Sequence, residues 1–221
     1  MFPQFVSIVL AAEGNNREKA EKRKGVFMLL DTLAYGLIPL VTVWFSRGYG
    51  WFSTNFSVIA NEFEKQRGFF LWGLLVGIYF LLVVRKMAVT LQAPGGLFFW
   101  LGVDLALLFL SIQTPYQPEA FPRKAELHIW FSFLAAVLLG VLVLWITGSM
   151  YRREPLVYRG QWRCLWVIFG LCGLLLLGVG MVSSALELFF TLSMVFFCQH
   201  MQKKLEETKK NGLHPSQKEI E

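Results

Sequence analysis

The stretch from Trp51 to Phe80 reads WFSTNFSVIANEFEKQRGFFLWGLLVGIYF. Its first half is polar, with amide, hydroxyl and carboxylate side chains, and its second half is an apolar segment that opens at Phe69 and carries Gly73 and Gly77. Small residues at this spacing let a neighbouring helix approach closely inside a membrane. The stretch therefore predicts a water-facing loop joined directly to a packed membrane helix. We expect the recognition site of the protein at that surface.

The rest of the chain is also built of apolar blocks separated by short polar segments. Of its 221 residues, 55% are hydrophobic, and the mean hydropathy is +0.50. A membrane-spanning helix needs roughly 20 apolar residues, and the blocks that reach or approach this length are 26–46, 68–85, 97–113, 127–148, 163–182 and 184–202. This pattern predicts an all-α integral membrane protein, a bundle of six transmembrane helices. The bundle occupies residues 26–202, between a basic, interfacial N-terminal segment (1–25) and a polar tail (203–221).

The distribution of Lys and Arg predicts the orientation of the bundle. Of the 21 basic residues, only five lie on the side of the loop that starts at residue 47: Arg47, Lys65, Arg67, Arg123 and Lys124. Cytoplasmic segments of membrane proteins are enriched in Lys and Arg, so both termini are expected in the cytoplasm, and the plasma membrane (the inner membrane of a bacterium) is the expected location. The net charge of +6 is then explained by topology and by attraction to anionic lipids, and nucleic-acid binding is not predicted.

Several classes of site are excluded by the residues that the sequence offers. The chain contains no H-E-x-x-H, no G-x-S-x-G and no phosphate-binding loop. His128 and His200 fall at opposite surfaces and cannot ligate one haem, while one His with two distant carboxylates is a poor zinc site. The three cysteines lie within or at the ends of spans, where they act as small apolar residues and imply no disulfide framework. We therefore predict no metal and no organic cofactor.

Polar residues inside or beside the spans are the candidate ligand-binding residues. An ionisable group in a membrane span costs roughly 2.5 kcal/mol or more unless it is paired or wetted. Three such groups lie in the outer half of the predicted bundle, and together with three loop residues they make the predicted ligand-binding set: Asn55, Ser57, Asn61, Asp104, His128 and Glu187. The three ionisable residues also have a structural interpretation, in which Glu187 lies in water near the hairpin, His128 touches headgroups and Asp104 makes an interhelical hydrogen bond.

Two segments carry a family resemblance. Asn55 to Ala60 (NFSVIA), followed by Phe69 to Gly77 (FFLWGLLVG), resembles the loop and second helix of the six-span DUF998 and Frag1/DRAM-like membrane proteins. His128 at the start of the fourth span and Ser184 to Glu187 at the start of the sixth are similar as well. The sequence differs from that pattern at Val58 to Ala60, where those proteins commonly have Asp-Leu-Gly. The resemblance implies a role in handling lipids.

A second resemblance is to the FAR-17a/AIG1-like six-span lipid hydrolases, which use a Thr nucleophile near the second helix and a His at the fourth. This resemblance implies Thr54 and His128 as catalytic residues of a lipid ester hydrolase, with His128 as the base that the Thr hydroxyl requires.

The expected function is therefore the binding or handling of a lipid or lipid-linked molecule in a polar pocket at the outer leaflet. We expect a membrane factor or assembly subunit without catalytic activity, because the sequence contains no complete set of nucleophile, base and orienting group. The hydrolase and a small-solute transporter remain alternatives. The expected partners are membrane lipids and a membrane protein or second copy that packs on glycine-rich faces such as that of Gly170 and Gly173.

Overall fold

The computed structural model describes residue 21 and residues 25–62 and 65–212, and over this part of the chain the fold is entirely helical. Its helices are α1 (Gly25–Ser46), α2 (Phe56–Ala60), α3 (Gln66–Leu91), α4 (Gly95–Gln113), α5 (Pro122–Arg153), α6 (Pro155–Val179) and α7 (Ser184–Gly212). All except α2 are long and apolar enough to cross a membrane, so the predicted set of six helices is confirmed. They indicate a membrane-embedded protein. The predicted N-terminal segment, apart from residue 21 and Gly25, and the last nine residues of the tail lie outside the described residues.

Several helices do not end where their apolar blocks end. One end of the bundle carries Arg152 and Arg153, and we call it the basic end. There α5 continues to Arg153 and α6 starts at Pro155, so that a single residue joins them. The helix α7 continues to Gly212, well into the predicted tail. In the other direction, α6 stops at Val179 rather than at 182, because Gly180 adopts a left-handed conformation (φ 76°) that ends the helix.

The helix α3 lies at the centre of the bundle and packs against α1, α4 and α7. Its Tyr79 is fully buried and donates a hydrogen bond of 2.8 Å to the carbonyl of Val195 on α7. On the side that faces α4, a Cβ atom at Gly73 would lie 2.5 Å from Cδ1 of Ile112, and one at Gly77 would lie 2.9 Å from Leu108. The small residues of α3 therefore permit the close approach that the sequence predicts.

The helix α1 contains a π-helical turn, Leu33–Leu37, directly before Pro39. Within this turn the N–H of Ile38 bonds to the carbonyl of Leu33, five residues earlier. Pro39 has no N–H to donate, and its ring crowds the carbonyl four residues before it. Pro39 therefore interrupts the α-helical hydrogen bonds at this point. The π-helical turn just before it accommodates this interruption.

The segment between α1 and α3 folds back over one end of the bundle and contains α2. The N–H groups of Ser184 and Ala185 donate to the carbonyls of Thr54 (2.6 Å) and Trp51 (2.8 Å). The first N–H groups of a helix have no partner within that helix, so this loop provides acceptors for the start of α7. The loop is also held by an apolar cluster of buried residues: Phe45, Phe56, Ile59 and Phe69.

The opposite end of the bundle carries ion pairs. The Nζ atom of Lys203 lies 2.8 Å from Oδ1 of Asp31, and the Nζ atom of Lys86 lies 2.6 Å from Oε1 of Glu206. These contacts join α1 and α3 to the last turns of α7, far from the loop that contains α2. Asp31 is thus part of the basic end and is separate from the polar residues at the loop end.

Candidate functional site

Ser57 and His128 form a hydrogen-bonded pair at the loop end of the bundle. The Ser57 Oγ lies 2.6 Å from Nε2 of His128. Ser57 belongs to the short helix α2, and His128 to the second turn of α5. The histidine is only 3% exposed, because it lies beneath the loop and beside the rings of Phe69 and Tyr116. The imidazole is therefore shielded from solvent, whereas Ser57 is only partly buried.

Two backbone carbonyls determine which nitrogen of His128 carries a proton in the neutral ring. Nδ1 lies 2.9 Å from the carbonyl oxygen of Ser111 and 2.8 Å from that of Thr114. A carbonyl can only accept, so Nδ1 must be the donor and Nε2 of the neutral imidazole is an acceptor. Ser57 thus donates its hydroxyl hydrogen to Nε2. The carbonyls come from the last turn of α4 and its C-cap residue Thr114, and that of Ser111 also accepts the Thr114 N–H at 3.2 Å.

Glu187 and Asn55 fix the backbone around Ser57. The backbone N–H of Phe56 donates to Oε2 of Glu187 at 2.6 Å. The side-chain oxygen of Asn55 accepts from the N–H of Val58 at 2.8 Å and caps α2. These two bonds use the N–H groups on either side of Ser57. The position of the serine is consequently set by contacts with α7 and by the cap.

A large cavity of about 770 Å³ starts at this pair and extends along α5, α6 and α7. Five residues at its loop end are polar or carry a polar group, and we call this region the polar end: Asn55, Ser57, Tyr116, His128 and Glu187. From there the α5 wall runs from Ile129 to Leu144, while α6 and α7 contribute residues such as Phe169, Leu176 and Phe190. At 1.5 Å rise per residue this α5 wall is roughly 22 Å long. The large cavity therefore combines a polar end with a long apolar wall.

A small cavity of about 140 Å³ adjoins the polar end and contains Asp104. The Asp104 side chain is 4% exposed, and its Oδ1 has no hydrogen-bond partner in the described part of the chain. A buried acceptor without a partner costs about 1–3 kcal/mol. Asp104 faces the bundle interior at the middle of α4, close to the polar end but not hydrogen-bonded to it.

Two predicted residues make other contacts. The Thr54 hydroxyl lies 3.3 Å from the carbonyl of Asn55, to which it donates, and the hydroxyl that reaches His128 is that of Ser57 instead. The side-chain amide of Asn61 donates to the carbonyl of Tyr116. Asn61 therefore ties the loop to the connection between α4 and α5 and does not line either cavity.

The chain matches no family model, no curated protein and no solved structure. The two family resemblances thus stay predictions, and the chemistry of the site is interpreted from its own geometry.

Sequence reasoning did not single out Ser111 and Thr191 as site residues. The Ser111 hydroxyl lies 2.6 Å from that of Ser132, which in turn donates to the carbonyl of His128 at 2.7 Å. Since Ser132 has one hydrogen, Ser111 must donate to Ser132. Thr191 lines the small cavity one turn after Glu187, and the stripe of Ser184, Glu187 and Thr191 is the signal that could have identified it. The small face of α5 after His128 also lies in the site, because Ser132, Ala136 and Gly140 line the large cavity.

Among the described residues, no group of three or more His, Cys, Asp or Glu side chains is arranged to hold a metal ion. The polar end instead offers a serine hydroxyl beside an accepting imidazole nitrogen. This arrangement can hydrogen-bond a polar headgroup. It also has the geometry of a nucleophile with its general base, because the oxygen and nitrogen lie at hydrogen-bond distance and the ring is oriented by a third group.

Proposed function

We propose that this protein binds a membrane lipid, with the hydrocarbon chain along the apolar wall of the large cavity and the headgroup at its polar end. The single observation that carries the proposal is the division of this cavity into a polar end and an apolar wall that follows α5 for several turns. A hydrocarbon chain that leaves the bilayer makes van der Waals contacts along such a wall in place of its contacts with lipid tails. A headgroup requires hydrogen-bonding groups, and most of those that line the cavity lie at the polar end.

The proposed setting is the outer leaflet of the plasma membrane, the inner membrane in a bacterium. This proposal is supported by the excess of Lys and Arg at the end of the bundle opposite the polar end. Both termini would then be cytoplasmic. The polar end would lie near the outer headgroups, where a lipid can enter sideways from the bilayer.

The experiment that tests lipid binding compares two variants with the same substitution. Ala136 lines the large cavity, whereas Ala106 on α4 is exposed outside both cavities. Each is changed to Phe, and the lipids that remain with the purified protein are quantified by mass spectrometry. Loss of bound lipid in Ala136→Phe only is the expected result. Equal lipid content in both variants and the wild type would overturn the proposal.

A second function is favoured by one specific observation, the 2.6 Å contact between Ser57 and Nε2 of His128. We propose as this alternative that the protein cleaves an ester of the bound lipid. The Ser57 oxygen attacks the ester carbonyl carbon while Nε2 takes its proton. The same proton then passes to the departing alcohol, and water hydrolyses the acyl-serine ester with His128 again as the base. In this alternative, Ser57 takes the role that the FAR-17a/AIG1-like resemblance implies for Thr54.

Partners other than lipids are proposed to dock on α6. In the most apolar 18-residue stretch of this helix, only 11% is buried inside the bundle, which is the smallest share among the six long helices. Cβ atoms at Gly170 and Gly173 would meet no atom within 4 Å. This face is therefore free, within the described residues, for a membrane protein or a second copy of the chain.

A further inference from the structure

The small cavity is the continuation of the polar end toward the middle of the bundle. It shares several wall residues with the large cavity: Ser57, Ser132, Ala136, Glu187 and Phe190. Three of these have polar side chains, and Ser57 and Glu187 belong to the polar end itself. A headgroup that contacts Ser57 therefore lies directly beside the small cavity.

The polar side chains that line the small cavity offer it oxygen atoms. They are the carboxyl groups of Asp104 and Glu187 and the hydroxyls of Ser57, Ser111, Ser132 and Thr191. Trp72 also lines it, but its indole N–H is bonded to Thr42 at 3.0 Å. Among the described residues that line either cavity there is no Lys and no Arg. Recognition of a phosphate or a carboxylate usually relies on such cations, so the composition of both walls disfavours an anionic headgroup.

Most of these oxygens already have partners, and the Oδ1 atom of Asp104 does not. The Ser57 hydroxyl donates to His128, and the Ser111 and Ser132 hydroxyls are paired. Asp104 is 96% buried and lines the small cavity with an Oδ1 atom that no described group approaches as a donor. Buried polar groups are normally satisfied. The group that satisfies Asp104 must be a hydrogen-bond donor, and a positive charge on it would match the two carboxyl groups.

Resting on the lipid-binding function proposed above, we propose that the small cavity binds the protonated amine of a non-phosphorylated lipid headgroup, with Asp104 as its acceptor. The volume of about 140 Å³ accommodates an amine and a few neighbouring atoms but not a large polar headgroup. The ligand is a long-chain amine or amino alcohol. Its chain occupies the large cavity, and its nitrogen passes between Ser57 and Glu187 to reach Asp104.

The test measures binding of radiolabelled dodecylamine to the full chain in phosphatidylcholine nanodiscs, with unlabelled competitors. Dodecanol has the same hydrocarbon chain as dodecylamine but no positive charge. Ethylamine has the charged amine but only a two-carbon chain. We expect dodecylamine to compete at least about tenfold better than either. We further expect Asp104→Asn to weaken dodecylamine binding by about tenfold or more, the effect of a lost hydrogen bond to a charged group, while dodecanol competition stays unchanged. The matched control is Glu62→Gln, a carboxylate that bonds to Tyr49 outside both cavities.

The possible outcomes separate this inference from the lipid-binding proposal. If dodecanol competes as well as dodecylamine in the wild type, the amine site is wrong and lipid binding stands. Equal competition by ethylamine would show that no lipid chain is required and would overturn the inference as well. If dodecylamine does not bind and Ala136→Phe also retains normal lipid, both proposals fail. The wild-type comparison needs no variant, so it decides the matter even if Asp104→Asn does not fold.

Discussion

The hydroxyl of Ser57 donates to Nε2 of His128 across 2.6 Å, although 71 residues separate them in the chain. The contact joins the short helix of the loop between α1 and α3 to the start of α5. The far side of the same imidazole is held by carbonyls at the end of α4. A single ring thus connects three segments at the polar end of the large cavity, and its Nε2 atom can accept a proton from Ser57.

This geometry predicts which hydroxyl reacts with an ester-directed probe. A lipid-tailed fluorophosphonate should label Ser57, because Nε2 of His128 can take the serine proton during attack. Labelling should disappear in Ser57→Ala and in His128→Ala, and it should persist in Thr54→Ala, since the Thr54 hydroxyl bonds to a backbone carbonyl. The labelled residue is identified by peptide mass spectrometry. Loss of labelling in Thr54→Ala with retention in Ser57→Ala would instead support Thr54 as the nucleophile that the FAR-17a/AIG1-like resemblance implies.

His128 contacts the hydroxyl of Ser57 and not that of Thr54. The sequence alone could not predict which of the two hydroxyls reaches the histidine. Both hydroxyls lie in the same loop, three residues apart, and no pattern in the sequence gives the direction in which each points. The direction is set by the cap of Asn55 on α2 and by the bond from Phe56 to Glu187. The second of these contacts spans 131 residues, so it emerges only when the helices are assembled.

Apolar blocks were a good guide to the helices but not to their ends. Hydropathy follows the hydrocarbon thickness that a block must cross, whereas a helix continues for as long as its backbone is satisfied. This is why α5 extends through Arg152 and Arg153 beyond the predicted span. The left-handed conformation of Gly180, which ends α6 early, depends on a tight turn that hydropathy does not report.

Glu187 should matter for the stability of the loop even if no ligand binds. Glu187→Ala removes the acceptor of the Phe56 N–H, and an unsatisfied buried donor costs about 1–3 kcal/mol. The melting temperature should fall by about 2–4 °C for each kcal/mol in a chain of this size. Glu187→Gln keeps an acceptor oxygen for the Phe56 N–H and should therefore lose much less stability than Glu187→Ala. The exposed Glu62→Ala is the control and should change stability by no more than about 0.5 kcal/mol, as thermal unfolding in detergent can show.

The close contact between α3 and α4 predicts a specific pair of compensating changes. Gly73→Ala places a methyl group within 2.5 Å of Cδ1 of Ile112 and should cost about 1–3 kcal/mol of stability. Removing that side chain with Ile112→Ala should make the alanine at 73 tolerable, so the two changes should couple favourably in a double-mutant cycle. Gly102→Ala is the control, because its Cβ meets no atom within 4 Å and alanine favours a helix by up to about 1 kcal/mol. Purely additive effects of the two changes would count against the close contact.

Lipid affinity should respond to the volume of the large cavity and not to its outer surface. A Phe ring at Ala136 occupies the space beside Ser132 and Phe190 at the junction of both cavities. We expect at least about a tenfold loss of affinity for a fluorescent long-chain lipid, or about 1.4 kcal/mol. The same ring at Ala106 should leave affinity unchanged. Fluorescence titration in detergent measures the lipid affinity of both variants. Equal affinities of Ala136→Phe and Ala106→Phe would argue that the lipid binds elsewhere.

The proposed orientation makes a prediction about accessibility, which uses single cysteines in a variant without Cys164, Cys172 and Cys198. Ser53→Cys and Glu119→Cys lie on exposed segments at the polar end, whereas Lys209→Cys lies on the exposed side of α7 at the basic end. A membrane-impermeant maleimide applied to spheroplasts should label the first two. It should reach Lys209→Cys only after permeabilisation, because in the proposed orientation the end that is rich in Lys and Arg lies in the cytoplasm.

The reverse labelling pattern would place the polar end in the cytoplasm. It would leave both cavities intact, since their geometry does not depend on orientation, but it would move the bound lipid to the inner leaflet. Labelling of Ser53→Cys and Glu119→Cys from opposite sides would be a more serious result. It would contradict the placement of the α2 loop and the start of α5 at one end of the bundle, on which the contact between Ser57 and His128 depends.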